Sequence, residues 1–220
     1  MEQQQLWFVL IYKLPTEPSR YRAAIWRKLK AAGAIYLQSG VAALPADAGS
    51  ERVMRALLQE IPDMSGAATL LRSTPVGEAA ATSLVAAFNA ARAEEYGELL
   101  SRCHDFHAEL AKERAAGNLT FAELEENEEE LTKLEGWLAK IRTRDRFSAA
   151  LGAHAGQAVL ACREDLDAFA KSVYETAAHK PDDESVVPSA PSASVTVTDS
   201  AAPARAAESQ GDLRLLEGDA

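Results

Sequence analysis

The sequence predicts an α+β protein: a ferredoxin-like βαββαβ domain, then an antiparallel three-helix bundle, then a disordered C-terminal tail. Three observations carry this. Apolar runs of strand length alternate with amphipathic helical stretches in the order β-α-β-β-α-β over roughly the first 70 residues, the split βαβ pattern. Proline is then absent between Val76 and Lys180, where Ala, Glu and Leu dominate at helical spacing. Beyond Lys180 the chain is rich in Pro, Ser, Ala, Val, Thr and acid, without a period, and such a segment cannot bury enough surface to offset its ordering entropy. The expected parts are residues 1–76, 77–179 and 180–220.

The first strand is expected over Leu6 to Lys13 (LWFVLIYK), a continuous apolar run that suits a central strand covered on both faces. Pro15 and Pro18 break it, and Ser19 is placed to cap a helix through Ala32 whose buried face is Tyr21, Ile25 and Leu29. Gly33 is positioned to close that helix in the left-handed conformation. Ala34–Leu37 and Val41–Leu44, separated by Gln38-Ser39-Gly40, read as a hairpin stopped by Pro45. Ser50 is the expected cap of a second helix through Ile61, with Val53, Leu57, Leu58 and Ile61 as its stripe. A last strand is expected over Ala67 to Leu71, after Pro62 and Gly66.

From Glu78, the residues Leu84, Phe88, Ala91, Leu99, Cys103, Phe106 and Leu110 predict one long helix, ended by Gly117-Asn118. Thr120 with Glu123 forms a capping box, and Leu119 with Leu124 a hydrophobic staple, so a second helix starts there and buries Leu124, Leu131, Leu134, Leu138 and Ile141. A third, Ala155 to Ala177, carries Val159, Cys162, Leu166, Phe169 and Val173 at steps of three and four. Short connections between three such helices predict antiparallel packing.

The totals exclude several classes. Two cysteines in 220 residues make neither a disulfide framework nor a zinc-finger spacing. No apolar run approaches the roughly 20 residues needed to span a bilayer. The start Met1-Glu2-Gln3-Gln4-Gln5 lacks a signal-peptide pattern, so no membrane association and a cytoplasmic location are expected. No nucleophile triad, phosphate-cradling glycine loop or dinucleotide fingerprint is visible, so neither catalysis nor a cofactor is expected. The net charge of −10 is uneven: residues 1–76 carry nine Lys/Arg against six Asp/Glu, whereas 77–178 carry eleven against nineteen and 179–220 three against eight. A mildly basic head on an acidic body is compatible with an anionic partner at the head, and equally with ordinary surface variation.

The candidate binding residues sit mainly on the first helix. At about 100° per residue, Arg20, Arg27 and Lys30 cluster within about 80° opposite the buried face, with Arg22 and Trp26 between the two faces. Lys28 belongs to the same basic run, and Lys13 leads into it from the first strand. Arg and Lys on one face can hold phosphates or another oxyanion, and Trp26 can add a stacking surface. The competing reading is a solvated helix face with Trp26 half buried. Arg142, Arg144 and Arg146 could form a second anion cluster or simply oppose the negative end of their helix. Cys103 and His107 lie four apart on one helix face, but without further spaced ligands they read as a seam cysteine and a surface histidine. The run Glu123–Glu130 reads as a solvated acidic face.

The stretch WFVLIYKLPTEPSRYRAAIWRKLKAAGAIYLQSGVAALP, Trp7 to Pro45, resembles the N-terminal domain of the chromate resistance protein family ChrB. Phe121-Ala122-Glu123-Leu124-Glu125-Glu126-Asn127, Trp137 to Arg142, and Arg144-Asp145 are similar to the helical half of the same domain. Trp26-Arg27-Lys28-Leu29 and Leu37-Gln38-Ser39-Gly40-Val41 also resemble the ferredoxin-like part of PaaX-type repressors. The resemblance implies a regulator or accessory protein of a chromate or metal-stress response, binding promoter DNA through the basic helix face, with chromate or another oxyanion as effector. The alternative is a non-catalytic interaction module that docks through its bundle and tail. Open sheet edges make a homodimer an expected partner arrangement.

Overall fold

A computed structural model describes residues 5–179. The elements are β1 (Trp7–Lys13), α1 (Ser19–Ala32), β2 (Ile35–Gln38), β3 (Val41–Pro45), α2 (Ala48–Asp63), β4 (Ala67–Ser73), α3 (Glu78–Ala116), α4 (Phe121–Arg144) and α5 (Gly152–Ala178). The strands form one antiparallel sheet in the order β2-β3-β1-β4, the ferredoxin-like arrangement expected from the element order. β1 is central, with Leu10 opposite Ala42 of β3 and Leu70 of β4. Ile25 and Leu29 of α1 and Met54, Leu57 and Ile61 of α2 join Phe8, Leu10 and Leu44 in one core. Each such side chain removed from water contributes about 1.5–3 kcal/mol.

Four local expectations are corrected. Ser19 does not cap α1: Pro18 occupies the cap position and no side-chain hydrogen bond is made there. The cap of α2 is Asp47, not Ser50; its carboxylate accepts from the Ser50 backbone N–H at 2.9 Å, so the cap lies three residues before the expected one and the helix starts at Ala48. Pro62 lies inside the last turn of α2, where its fixed φ is compatible with helix and the chain continues to Asp63. Cover on both faces of β1 fails at Ile11, which is exposed like Leu71 of β4. Only the Trp7 end is closed on the second face, by Phe88 of α3 and by Phe147, whose rings lie 6.1 and 5.7 Å from the indole.

The helices pack through the expected seams: Leu99, Cys103, Phe106 and Leu110 of α3, Leu131, Leu134, Leu138 and Ile141 of α4, and Val159, Cys162, Leu166, Phe169 and Val173 of α5. Thr120 accepts from the Glu123 N–H at 3.3 Å, with Leu124 buried beside the partly buried Leu119. The third helix begins at Gly152, three residues before the expected start. The first part of α3, with Leu84, Val85, Phe88 and Ala91, belongs to the sheet's core, and Tyr96 onward belongs to the bundle's. One helix therefore serves both clusters, and the described residues fall within a single compact unit. Among the described residues no helix is long and apolar enough to cross a membrane. The disorder expected for residues 180–220, and the short Leu213–Leu216 motif within them, lie outside the described residues.

Candidate nucleic-acid interface

Helix α1 holds five cations, Arg20, Arg22, Arg27, Lys28 and Lys30, and no carboxylate. Because Ile25 and Leu29 must be buried, the 3.6-residue period forces these cations onto the remaining surface and sorts them into rows. Lys28 faces α2 and pairs with Glu60 at 2.5 Å, which neutralises it locally. Arg20 and Arg27 point outward: the Arg20 guanidinium lies 5.2 Å from the Tyr21 ring centroid, and Arg27 Nε donates to the Ala23 carbonyl at 3.3 Å. Arg22, Trp26 and Lys30 form the i, i+4, i+8 row on the other flank. The Lys30 ammonium sits 5.2 Å from the centroid of the Trp26 ring, and that indole remains 48% exposed. Arg20, Arg22, Arg27, Lys30 and Lys13 have no carboxylate partner among the described residues.

Arg22 and Trp26 open onto a pocket of about 780 Å³ completed by Tyr12, Lys13 and Leu14 from the end of β1 and by Tyr36, Gln38, Ser39 and Gly40 from the β2–β3 hairpin. The hairpin is held against β1 by the Tyr12 N–H, which donates to the Gly40 carbonyl at 2.7 Å. Gly40 has φ +74°, and a Cβ there would lie 2.5 Å from the Tyr12 carbonyl oxygen, so the approach requires glycine. A register irregularity between Tyr36 and Gln38 accompanies this turn. The Tyr12 and Tyr36 hydroxyls meet at 3.3 Å, and burial, with the neighbouring Tyr12, pushes the Tyr36 phenol above its ordinary value, so it stays neutral. Arg22 donates to the Thr16 carbonyl at 3.1 Å, which fixes the guanidinium and leaves further N–H groups available. The pocket thus combines two cations, an open indole face and neutral hydroxyl and amide groups. That donor set suits a phosphate or other oxyanion, with an aromatic surface for a base.

Lys13, Arg22 and Trp26 are therefore brought together at the pocket, and Arg20, Arg27 and Lys30 extend the positive surface along α1. The second set is drawn apart. Arg144 turns inward to pair with Glu95, Arg146 reaches Asp47 at 3.4 Å, and Arg142 stays exposed beside a separate pocket with Tyr96 and Asp145. Their charges meet three different surroundings.

The sequence reading missed the residues that hold α1 in place. Arg92 of α3 donates to the Gly33 carbonyl at 2.9 Å and to Glu95 at 2.7 Å, and Glu95 also binds Arg144 of α4. Gly33, with φ +80°, has no room for a Cβ, which would lie 2.8 Å from both Arg92 Nη1 and Arg144 Cβ. The signal for Arg92 was its place on the seam between Phe88 and Tyr96, where a charged residue interrupts an apolar row. Among the described residues no group of three His, Cys, Asp or Glu side chains is arranged to hold a metal ion. Most acids of the Glu123–Glu130 run are exposed, and its Asn127 is buried with its amide on the Glu123 carbonyl at 2.7 Å.

A family model described as protein ChrB, N-terminal, matches residues 22–180. No curated protein and no solved structure matches the chain.

Proposed function

Because the chain belongs to the ChrB N-terminal family and is thus related to chromate resistance, we propose that it acts as a transcriptional regulator that grips DNA through α1 and the adjoining pocket. One observation supports this above the others. Four of the five cations on α1 have no carboxylate partner among the described residues, although the chain as a whole carries a net charge of −10. Arg20, Arg27 and Lys30 contact phosphates along the helix, while Lys13 and Arg22 hold one more at the pocket beside Trp26. Phosphate contacts of this kind position a protein on DNA without reading its sequence. Chromate, a dianionic oxyanion, competes for the same two pocket cations and releases the DNA. Two copies joined through the open edge of β4 would present two such surfaces, matching a two-fold operator.

Fluorescence anisotropy with DNA from the gene's own promoter tests the reading, with sulfate as control for chromate. Binding that weakens steeply with salt and is released by chromate at concentrations where sulfate has no effect supports it. Absence of binding at low salt contradicts it. A second reading, an interaction module, is favoured by the exposed Phe121 and Tyr174, whose rings meet edge to face with centroids 5.3 Å apart between α4 and α5. A stable protein partner lost on Phe121→Ala and Tyr174→Ala, together with no DNA binding, would select that reading.

A further inference from the structure

The bundle contains a chain of polar groups that DNA binding does not use. Cys103, His107 and Arg114 lie on α3, and Cys162 and Asp165 face them from α5. Cys162 Sγ lies 3.7 Å from the Cys103 carbonyl oxygen, so the two cysteines sit side by side across the α3–α5 seam. The same sulfur lies 3.6 Å from His107 Nε2. On the other side of the ring, Nδ1 is 2.7 Å from Asp165 Oδ2. Arg114 pairs with Asp165 Oδ1 at 2.7 Å and donates to the Asp165 carbonyl at 2.7 Å, so the carboxylate is held from two sides. Burial pushes the Asp165 carboxyl up, but the His107 hydrogen bond and the Arg114 guanidinium outweigh it and keep its pKa below the ordinary value. A carboxylate only accepts, so Nδ1 carries the proton, and in the neutral ring Nε2 presents its lone pair to the Cys162 thiol.

The arrangement exceeds what packing needs. A buried cysteine serves as a small hydrophobe and requires neither a base nor a second thiol. Here both cysteines are buried, at 2% and 0% exposure, whereas the His107 side chain is 37% exposed and links them to the surface. We propose that Cys103 and Cys162 are an oxidant-reactive dithiol, closed to a disulfide by hydrogen peroxide with His107 as the base. His107 Nε2 takes the Cys162 proton, and the thiolate attacks one peroxide oxygen. The O–O bond breaks, the leaving oxygen takes the proton from His107 and departs as water, and Cys162 becomes a sulfenic acid. The Cys103 sulfur then attacks the sulfenyl sulfur: the S–S bond forms, the S–O bond breaks, and the hydroxyl leaves with the Cys103 proton as a second water. Two thiols lose two electrons and one peroxide becomes two waters. Burial raises the Cys162 thiol to about 12, reinforced by Cys103 and Asp165, so thiolate is scarce unless the imidazole takes the proton. The disulfide ties α3 to α5 across the bundle and is independent of the DNA reading.

The test uses the reduced full-length chain and hydrogen peroxide, followed by alkylation under denaturing conditions and intact-mass measurement. The expected result is a monomer that loses both alkylation sites together and yields a Cys103–Cys162 cross-linked peptide. In Cys103→Ser the reaction stops at a Cys162 sulfenic acid, trapped by dimedone. In His107→Asn, closure slows by at least about tenfold, the loss expected of a general base. Thiols that stay alkylatable while free glutathione in the same tube is consumed overturn the proposal. So does a disulfide that forms only between chains. His107→Asn oxidising at the wild-type rate overturns the assignment of the base.

Discussion

Glu95→Gln tests the network that fixes the basic helix against the bundle. The side chains of Arg92, Glu95 and Arg144 are only 4%, 15% and 17% exposed, and the Glu95 carboxylate is the counter-charge of both guanidiniums. Among the described residues the Nε groups of Arg92 and Arg144 have no hydrogen-bond partner, and beyond Glu95 Arg92 reaches only the neutral Gly33 carbonyl, so no second carboxylate is at hand. Glutamine keeps the shape and removes the charge, leaving two guanidiniums uncompensated. Breaking a buried pair in this way costs about 3–5 kcal/mol. For a chain of this size that corresponds to a fall in Tm of about 6–20 °C. The assay is urea unfolding followed by tryptophan fluorescence, since Trp7 is fully buried in the sheet's core. Glu51→Gln is the control: its pair with Arg55 at 2.8 Å is open to solvent and is worth no more than about 0.5 kcal/mol. The triple change Arg92→Met, Glu95→Leu, Arg144→Met should recover most of the loss, because apolar residues of similar volume replace the charges. If Glu95→Gln costs no more than Glu51→Gln, the charges are solvated and the network does not hold the helix.

Other substitutions test other parts. Gly40→Ala should destabilise by at least about 1 kcal/mol, the cost of a left-handed non-glycine residue, and weaken DNA binding by displacing the hairpin that lines the pocket; unfolding and anisotropy measure the two effects. Thr120→Ala should cost about 1 kcal/mol in urea unfolding by removing the side-chain cap of α4. The lowered pKa of Asp165 makes its stabilisation fully present above the ordinary value of 3.8 and lost as pH falls through the folded value. Acidification through that range should therefore destabilise the wild type more than Asp165→Asn, and parallel unfolding midpoints would refute the role given to Arg114 and His107.

The fold was legible because its signals are local. The unbroken apolar run of β1, the four-residue steps of α1 and the Thr120 side-chain cap each depend on neighbours in sequence, and each reappears in the structure. Element starts were less legible, since Asp47 and Ser50 are both competent caps and which one serves depends on where α2 meets the sheet. The basic face of α1 could be read from helical period alone. Its pocket could not, because Tyr12 and Tyr36 come together only through the register of three strands. Arg144 looked like a free cation at a helix end, but the crossing of α3 and α4 turns it to Glu95. Cys103 and Cys162 were each correctly placed on a seam, yet their meeting with His107 depends on how α3 and α5 are set against each other, which no single-helix pattern encodes.

The salt dependence of promoter-DNA binding, compared between the wild type and the Arg20→Ala, Arg27→Ala, Lys30→Ala triple variant, tests the proposed role of α1 most directly. Each phosphate contact contributes about 0.9 to the slope of log K against log salt, so the triple variant should bind weakly with a slope shallower by about 2.7. Both proteins should unfold at similar urea concentrations, because all three side chains are exposed. A variant that binds the promoter with the wild-type affinity and slope would contradict the account.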